Sequence, residues 1–461
     1  MRPFNLNYSC CLLAFLFLSL SISVYSQPSS FPVSDWMQYV DPEDAGFDTN
    51  KLNAVKDKFI ENGGSSLMVI RKGYVVSYIG PVDRCYRQTS VRKSYLNALY
   101  GIFVDRGDID LNASLASLNI DDTPPLNDNE KQATVLQLLQ SRSGIYHTAA
   151  YSPEWMEKQL PERGSHAPGT YWFYNNWDFN TLATIFKQQT HRDMFEAFQE
   201  YIAQPTGMQD YDLQKTKYLF EDELSQHPAY IFRMSPRDMA RFGLLYLNNG
   251  AWEGEQIIPE SWIEKCWKRH SVNGTNEAGV HWDDYGLLWW ISNTITEEPV
   301  YYASGSGLQR ISIFPESDMV MVHVVDNYQM KSVNEDQVEE LTKMLLDAKT
   351  GKVKKGAKLQ ELTIPEDTLE IVTVDEGILK KYVGEYQNPM LGTFKISLEE
   401  DHLLMQAGIG DFVLLPVGKN EFHNEDIQIP FFFNEGEETK KGLFMPNLSE
   451  QRLIKHFNFF Y

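Results

Sequence analysis

Two groups of strand-like segments bracket a long helical stretch, and this arrangement restricts the fold more than any other feature of the chain. Near the front, Ser66 to Ile70 and Tyr74 to Ile79 are short β-branched and aromatic runs joined by Arg71-Lys72-Gly73, the pattern of a tight hairpin. Strand-like runs return only at Gly286 to Ile291, Gln309 to Phe314 and Met319 to Val325. Residues 107 to 270 between them read as mostly helical, punctuated by Pro124-Pro125, Pro161 and Pro168-Gly169. The clearest helices there are Ala133 to Gln140, Asp178 to Gln189, Asp193 to Ala203 and Ser235 to Asn248, the last with a serine N-cap and proline in its first turn. Hydrophobic strands need a common core, so one antiparallel sheet is expected to take strands from both ends, flanked by helices and interrupted by a helical insert. Asp48 to Asn62, ending at Gly63-Gly64, and the acid-rich Asn334 to Asp347 supply further helices. The expected class is α/β (α+β).

The chain of 461 residues exceeds one ordinary core, so a second domain is expected. Lys349 to Lys358 opens a lysine- and glycine-rich connector, placed at residues 349–366. Beyond it, from residue 367 to 461, short strand-like runs separated by glycine turns predict a small antiparallel barrel or sandwich. These runs are Gly392 to Leu398, Leu403 to Ala407, Phe412 to Val417, Ile427 to Phe433, Gly442 to Met445 and Leu453 to Phe457.

At the N-terminus, Arg2 precedes the apolar run Cys11 to Leu18, and Val24-Tyr25-Ser26 has the form of a signal-peptidase site. Residues 1–26 are therefore read as a signal peptide, leaving residues 27–348 as the main domain of an exported protein, periplasmic or extracellular. The run is too short for a stable membrane span, so no integral membrane segment is expected after cleavage. Of four cysteines, cleavage leaves Cys85 and Cys266, as one disulfide or as two isolated thiols. The net charge of −22 argues against nucleic acid, which needs a basic patch. The sequence has neither a G-x-S-x-G elbow nor an H-E-x-x-H zinc motif, and no metal or cofactor is expected.

Thr89-Ser90-Val91-Arg92-Lys93 opens a segment whose apolar residues Val91, Tyr95, Leu96, Leu99, Ile102 and Phe103 recur at helical spacing. Ser90 stands at an N-cap or first-turn position, and Gly107 stands where a C′ glycine belongs. Residues three apart share a helical face, so the Ser90 hydroxyl and Lys93 amine can meet. A serine becomes a nucleophile when a neighbour takes its proton, and burial together with the helix N-terminus would hold a lysine neutral enough to do so. Alternatively, Ser90 caps a helix whose Lys93 is solvated. Tyr174-Asn175-Asn176 follows Pro168-Gly169 on a turn, where a phenol and an amide can project into a cleft. Tyr95 and Tyr246, which head similar Y-x-N triplets, lie inside apolar helices, and Tyr386 falls in the C-terminal β-region. In Ala303-Ser304-Gly305-Ser306-Gly307, glycine permits either a bulge or close approach of a ligand to the backbone. Arg84, Arg87 and Arg92 read as a solvated face, with steering of an anionic substrate as the alternative.

Taken together and in this order, Ser90-x-x-Lys93, Tyr174-x-Asn176 and the glycine-bearing strand motif resemble the serine β-lactamase and penicillin-binding protein superfamily. The closest resemblance is to class C β-lactamase-related hydrolases, and it extends over about residues 40 to 345. Gly101 to Leu111, Leu138 to Ile145 and Met234 to Arg241 are similar to linking stretches of that group. Tyr382-Val383-Gly384-Glu385-Tyr386 resembles the lipocalin-like β-barrel domain often appended to it. The resemblance implies a β-lactamase/transpeptidase-like fold and an acyl-enzyme on Ser90, with Lys93 as base and Tyr174 sharing proton transfer. It also implies that Asn176 bonds Lys93 or the substrate amide. Ser304, Gly305 and Ser306 would bind substrate, with the Ser90 and Ser306 N–H groups as oxyanion donors. One departure concerns specificity: where the family carries Lys or His, this chain has Ala303. That loss weakens capture of a substrate carboxylate and suggests an esterase or amidase acting on a small or peptide-like substrate. A D,D-peptidase or β-lactamase, or a catalytically silent binding homologue, are the alternatives.

Overall fold

The computed structural model describes residues 31–32, 35–275, 281–325, 333–365, 371–388, 392–399, 402–407, 410–424, 431–433 and 443–444. The expected signal peptide with Cys10 and Cys11, and the strand expected at Leu453 to Phe457, lie outside them.

The bracketing strands form one sheet. Met319–Val324 pairs antiparallel with Ser66–Arg71 along its whole length, so strands more than 240 residues apart in sequence share the centre of a nine-stranded sheet. Ser66–Arg71 turns into Tyr74–Ile79 through Lys72 (φ 52°) and Gly73 (φ 79°), the positive-φ pair that a two-residue hairpin requires. On the other side follow Gln309–Phe314, Tyr301–Gly305, Trp290–Ile291 and Asp284–Tyr285, all antiparallel. The expected strand from Gly286 to Ile291 is thus cut to its last two residues, because Gly286 to Trp289 turns away to pack into the core.

Side chains alternate between the two sheet faces. Leu67, Val69, Met319 and Met321 meet the helices Thr49–Glu61 and Glu335–Asp347, through Leu52, Val55, Phe59, Leu341 and Leu345. Met68, Ile70, Val320, Val322, Ile311 and Ile313 face the opposite core, which holds the helices Arg92–Asp105 and Pro236–Leu247. Helices cover both faces, so every residue of the central strands is buried. Each large aliphatic side chain fully buried there stabilises the fold by about 1.5–3 kcal/mol. The helix ends follow the sequence. Asp48 caps Thr49–Glu61 by accepting from Lys51 N at 2.9 Å, and Gly107 (φ 80°) follows Arg92–Asp105.

The insert carries Val135–Leu139, Glu154–Lys158, Asn176–Thr190 and Met194–Phe198, the last continuing into a π-turn at Gln199–Ala203. It is not wholly helical. Ala229–Met234 is a buried strand pairing with both Lys217–Leu219 and Tyr86–Gln88. Its continuous run Ala-Tyr-Ile-Phe carries no alternation, so periodicity cannot separate it from a buried helix segment. This small sheet positions the site, because Tyr86–Gln88 runs directly into Thr89-Ser90.

The stretch read as a connector contributes Leu359–Glu361 to the edge of the large sheet, antiparallel to Met37–Tyr39. Beyond it, seven strands from Gly384–Asn388 to Leu443–Phe444 form an antiparallel meander around a separate core that includes Tyr382, Phe394, Leu403, Phe412 and Phe431. Barrel closure would need its first and last strands to pair, and among the described residues they do not. Cys85 and Cys266 are buried and form no disulfide among the described residues. No helix of the described residues is long and apolar enough to cross a membrane.

Candidate active site

Thr89 and Ser90 occupy the turn between Tyr86–Gln88 and Arg92–Asp105. Ser90 does not cap that helix; Val91 takes the N-cap position, with no side-chain cap bond. This frees the Ser90 hydroxyl for Lys93, whose Nζ donates to Ser90 Oγ at 2.7 Å. The same Nζ donates to Tyr174 Oη at 2.8 Å. Lys93 is 2% exposed. The solvated-lysine alternative is therefore excluded, and the hydroxyl, amine and phenol form one continuous hydrogen-bonded chain.

Burial pushes the Lys93 ammonium well below its ordinary pKa, and the neighbouring Arg92 charge adds to this. Burial likewise pushes the Tyr174 phenol up to about 12, opposed by its bond to Ser90 and by Arg92. At neutral pH the chain thus pairs an amine ready to accept a proton with a phenol that keeps its own.

The loop carrying Tyr174 is held from below. Asn175 caps the helix Asn176–Thr190, accepting from Trp177 N at 3.1 Å, while its Nδ2 donates to Ile145 O at 2.6 Å. Asp178 lies in the first turn and accepts from Ser143 Oγ at 2.6 Å. Asn176 does not bond Lys93. Its Nδ2 donates to Tyr151 O at 2.9 Å, and its buried Oδ1 has no hydrogen-bond partner among the described residues. Tyr95 and Tyr246 are fully buried packing residues, and Tyr386 belongs to the C-terminal sheet.

The third motif closes over Ser90. Thr89 N donates to Gln309 Oε1 at 3.0 Å, and Thr89 Oγ1 donates to Ser306 O at 3.0 Å. A Cβ on Gly305 would stand 2.2 Å from Thr89 Oγ1 and 2.8 Å from Ser90 N. Glycine is therefore needed for close backbone approach, and a simple bulge does not account for it. Ala303 is packed into the core, so this strand presents Ser304, Gly305 and Ser306 to the cleft and no cation. The cation opposite Ser304 on the next strand, Arg310, is paired with Glu335 and lies 4.1 Å over the Tyr302 ring.

The cleft measures about 1160 Å³, and one wall is aromatic. Trp290 stacks on Tyr174 (centroids 5.3 Å apart), on Trp282 (5.8 Å) and alongside Tyr302 (6.3 Å), with Trp155 beyond Trp282. No motif marks this wall. A weak signal lay in the Trp289-Trp290 pair: alternation sends Trp289 into the core against Tyr246, and Trp290 into the cleft. The arginines, read as a solvated face, include Arg92 at 1% and Arg87 at 9% exposure, both in the cleft wall. No group of three or more potential metal-ligating side chains occurs among the described residues.

A buried serine–lysine–tyrosine chain beneath a glycine strand, on a sheet that is antiparallel except where Met37–Tyr39 runs parallel to Tyr74–Ile79, with a helical insert, defines a class of serine-hydrolase-like architecture. The chain belongs to the β-lactamase family, whose model matches residues 53–338. This is the superfamily of β-lactamases and penicillin-binding proteins, whose members are serine hydrolases. Among solved structures, the fold is similar to a protein from Bacteroides dorei provisionally named a β-lactamase. The two share 15% identity over 66% of this chain and 99% of that one, with a TM-score of 0.50. A protein of Bacillus anthracis provisionally named a 6-aminohexanoate-dimer hydrolase matches at 23% identity over 63% and 80%, with a TM-score of 0.49. An octameric penicillin-binding protein homologue from Pyrococcus abyssi matches at 18% identity over 84% and 96%, also at 0.49. Curated protein sequences give no match.

Proposed function

We propose that the protein is an exported serine hydrolase, related to class C β-lactamases, that cleaves an ester or amide bond of a small or peptide-like substrate through an acyl-enzyme on Ser90. The observation that carries this reading is the buried chain from Ser90 Oγ through Lys93 Nζ to Tyr174 Oη, at 2.7 and 2.8 Å. In acylation, Ser90 Oγ bonds the substrate carbonyl carbon while its proton passes to neutral Lys93. The carbonyl oxygen takes the negative charge, facing the Ser90 and Ser306 N–H groups. Collapse breaks the carbon–oxygen or carbon–nitrogen bond, and the proton on Lys93 reaches the leaving group by way of Tyr174. Water then attacks the Ser90 ester by the same route in reverse. The free Oδ1 of Asn176 would accept from a substrate amide. Trp290, Trp282 and Tyr302 would receive an apolar or planar group next to the scissile bond.

Ala303 sets the specificity of this reading. Without a cation on that strand, and with Arg310 already paired, efficient capture of a penicillin carboxylate is disfavoured. The same feature favours a second reading, a binding protein that keeps the cleft without turnover. Incubation of folded protein with a fluorophosphonate, followed by mass mapping, should place the label on Ser90; no label there supports the binder. A panel of p-nitrophenyl esters, D-aminoacyl amides and nitrocefin then separates esterase or amidase from β-lactamase or D,D-peptidase. Strong nitrocefin hydrolysis would count against this choice. The proposal includes a signal peptide at residues 1–26, a hydrolase domain at 27–348 completed at its sheet edge by Leu359–Glu361 from the stretch 349–366, and a lipocalin-like β-domain at 367–461.

A further inference from the structure

Two cationic side chains leave the nucleophile turn at adjacent positions, and neither has a carboxylate partner among the described residues. Arg92 Nη1 donates to Thr89 O at 2.8 Å, while its Nε and Nη2 are buried without hydrogen-bond partners among the described residues. In place of a counter-ion, the guanidinium lies 5.1 Å from the ring centres of both Tyr151 and Tyr230. Lys93 Nζ meets Ser90 Oγ, Tyr174 Oη and the ring faces of Tyr174 and Phe179, each ring centre 4.5 Å away.

Among the described residues no other ionisable group forms an ion pair with Arg92 or Lys93; the Glu221 carboxylate accepts from Tyr151 N instead. Asp178, on the Asn176–Thr190 helix, is bound to Ser143, and burial pushes its carboxyl well above the ordinary range. Tyr174, Tyr230 and Tyr285 are buried phenols, all raised by burial. Arg87, on the strand before the turn, adds a further positive charge, its guanidinium 5.0 Å from the Tyr151 ring centre.

Burying one unpaired charge is costly, and burying two side by side adds their repulsion. A guanidinium does not release its proton inside a protein, whereas an ammonium does. The amine must therefore be the neutral member. Resting on the reading of Lys93 as base, we infer that Arg92 is the positioning residue that keeps Lys93 unprotonated, as a fixed guanidinium held by Tyr151, Tyr230 and the Thr89 carbonyl. This gives Asn176 a role that its expected contact with Lys93 did not. Asn176 Nδ2 and Glu221 Oε2 bind Tyr151 O and N, at 2.9 and 2.6 Å, and Tyr151 sits at φ 58°. Together they hold the ring that faces Arg92.

The test is an NMR titration of lysine side chains in uniformly labelled protein, with the Lys93 signal assigned by its loss in Lys93→Met. In the wild type Lys93 should titrate well below the ordinary lysine range. Arg92→Gln should raise its pKa by about one to two units, and the acid limb of kcat/KM should move with it. Arg92→Lys should give back part of the depression, because an ammonium at that position can itself release its proton. A Lys93 value unchanged in folded Arg92→Gln overturns the inference, as does an ordinary value in the wild type. If Arg92→Gln does not fold, Arg92→Met carries the same test, and a Lys93 value unchanged in it overturns the inference. The titration needs no turnover. A low Lys93 value that follows residue 92, in protein whose Ser90 takes no fluorophosphonate, would sink the hydrolase reading and leave the charge relation standing.

Discussion

Gly305→Ala tests the closure of the glycine strand over Ser90, the proposed nucleophile. The φ of Gly305 lies outside the left-handed region, so alanine suffers only from lack of space. Its methyl would sit 2.2 Å from Thr89 Oγ1, 2.8 Å from Ser90 N and 3.2 Å from Val91 N. Restoring ordinary contact requires Ser90 N to retreat by about 0.6 Å and Thr89 Oγ1 by about 1.2 Å. Thr89 cannot rotate away freely, because its hydroxyl holds Ser306 O at 3.0 Å and its N–H holds Gln309. The strand and the turn must therefore separate. Overpacking of this kind costs about 1–3 kcal/mol of stability. A shift near 1 Å between a nucleophile and its oxyanion donors lowers rate about 10²-fold. The assay is kcat/KM on a p-nitrophenyl ester, with the fluorophosphonate labelling rate of Ser90 and a thermal melt on the same samples. Gly305→Ala should lose about 10²-fold in both rates and melt a few degrees lower. Rates within threefold of wild type at unchanged Tm would refute the argument that this approach organises the site.

Lys93→Ala and Tyr174→Phe should each slow acylation by about 10²–10⁴-fold while the folded near-ultraviolet circular dichroism persists, and wild-type rates in either would reassign the base. Acylation should rise as pH climbs through the lowered Lys93 pKa and then stay level, since Tyr174 ionises only at about 12; a fall between pH 8 and 10 would contradict this. Lys93→Met should melt higher than wild type at pH 7. Lys93 has a lower pKa folded than unfolded, so the unfolded chain binds more protons and wild-type stability grows with pH up to about 10.4. The gap between the two proteins should therefore narrow toward alkaline pH, and a widening gap would reverse the assigned shift. Trp290→Ala should raise KM for aryl esters more than for methyl esters, and equal effects on both would remove the aromatic wall from substrate binding.

The sequence was most informative where local chemistry decides the outcome. Asp48 as a cap, Lys72-Gly73 as a hairpin turn and Gly107 at a helix end each follow from one residue's backbone preference. The Ser90–Lys93 pair was legible because helical spacing brings two adjacent turns together, and Tyr174 because a proline–glycine turn and its Y-x-N pattern marked it. Contacts made across the fold were not legible. Nothing local distinguishes Arg92 in a buried slot between two tyrosines from Arg92 on a wet face. The Ala229–Met234 strand was hidden by its uniform apolarity. Asn176 carried the motif expected to reach Lys93, but its amide is taken by a carbonyl from a loop 25 residues earlier.

The strand Leu359–Glu361 bears on how the chain can be divided. It shields one margin of the large sheet by pairing with Met37–Tyr39, and Leu362 N and Thr363 O extend the seam to Trp36 and Tyr78. A protein shortened at Ala348 would leave the backbone of Met37–Tyr39 bare, an invitation to self-association. Cutting beyond Ile364 keeps that margin covered, so catalysis can be compared with and without the trailing β-meander on equal terms.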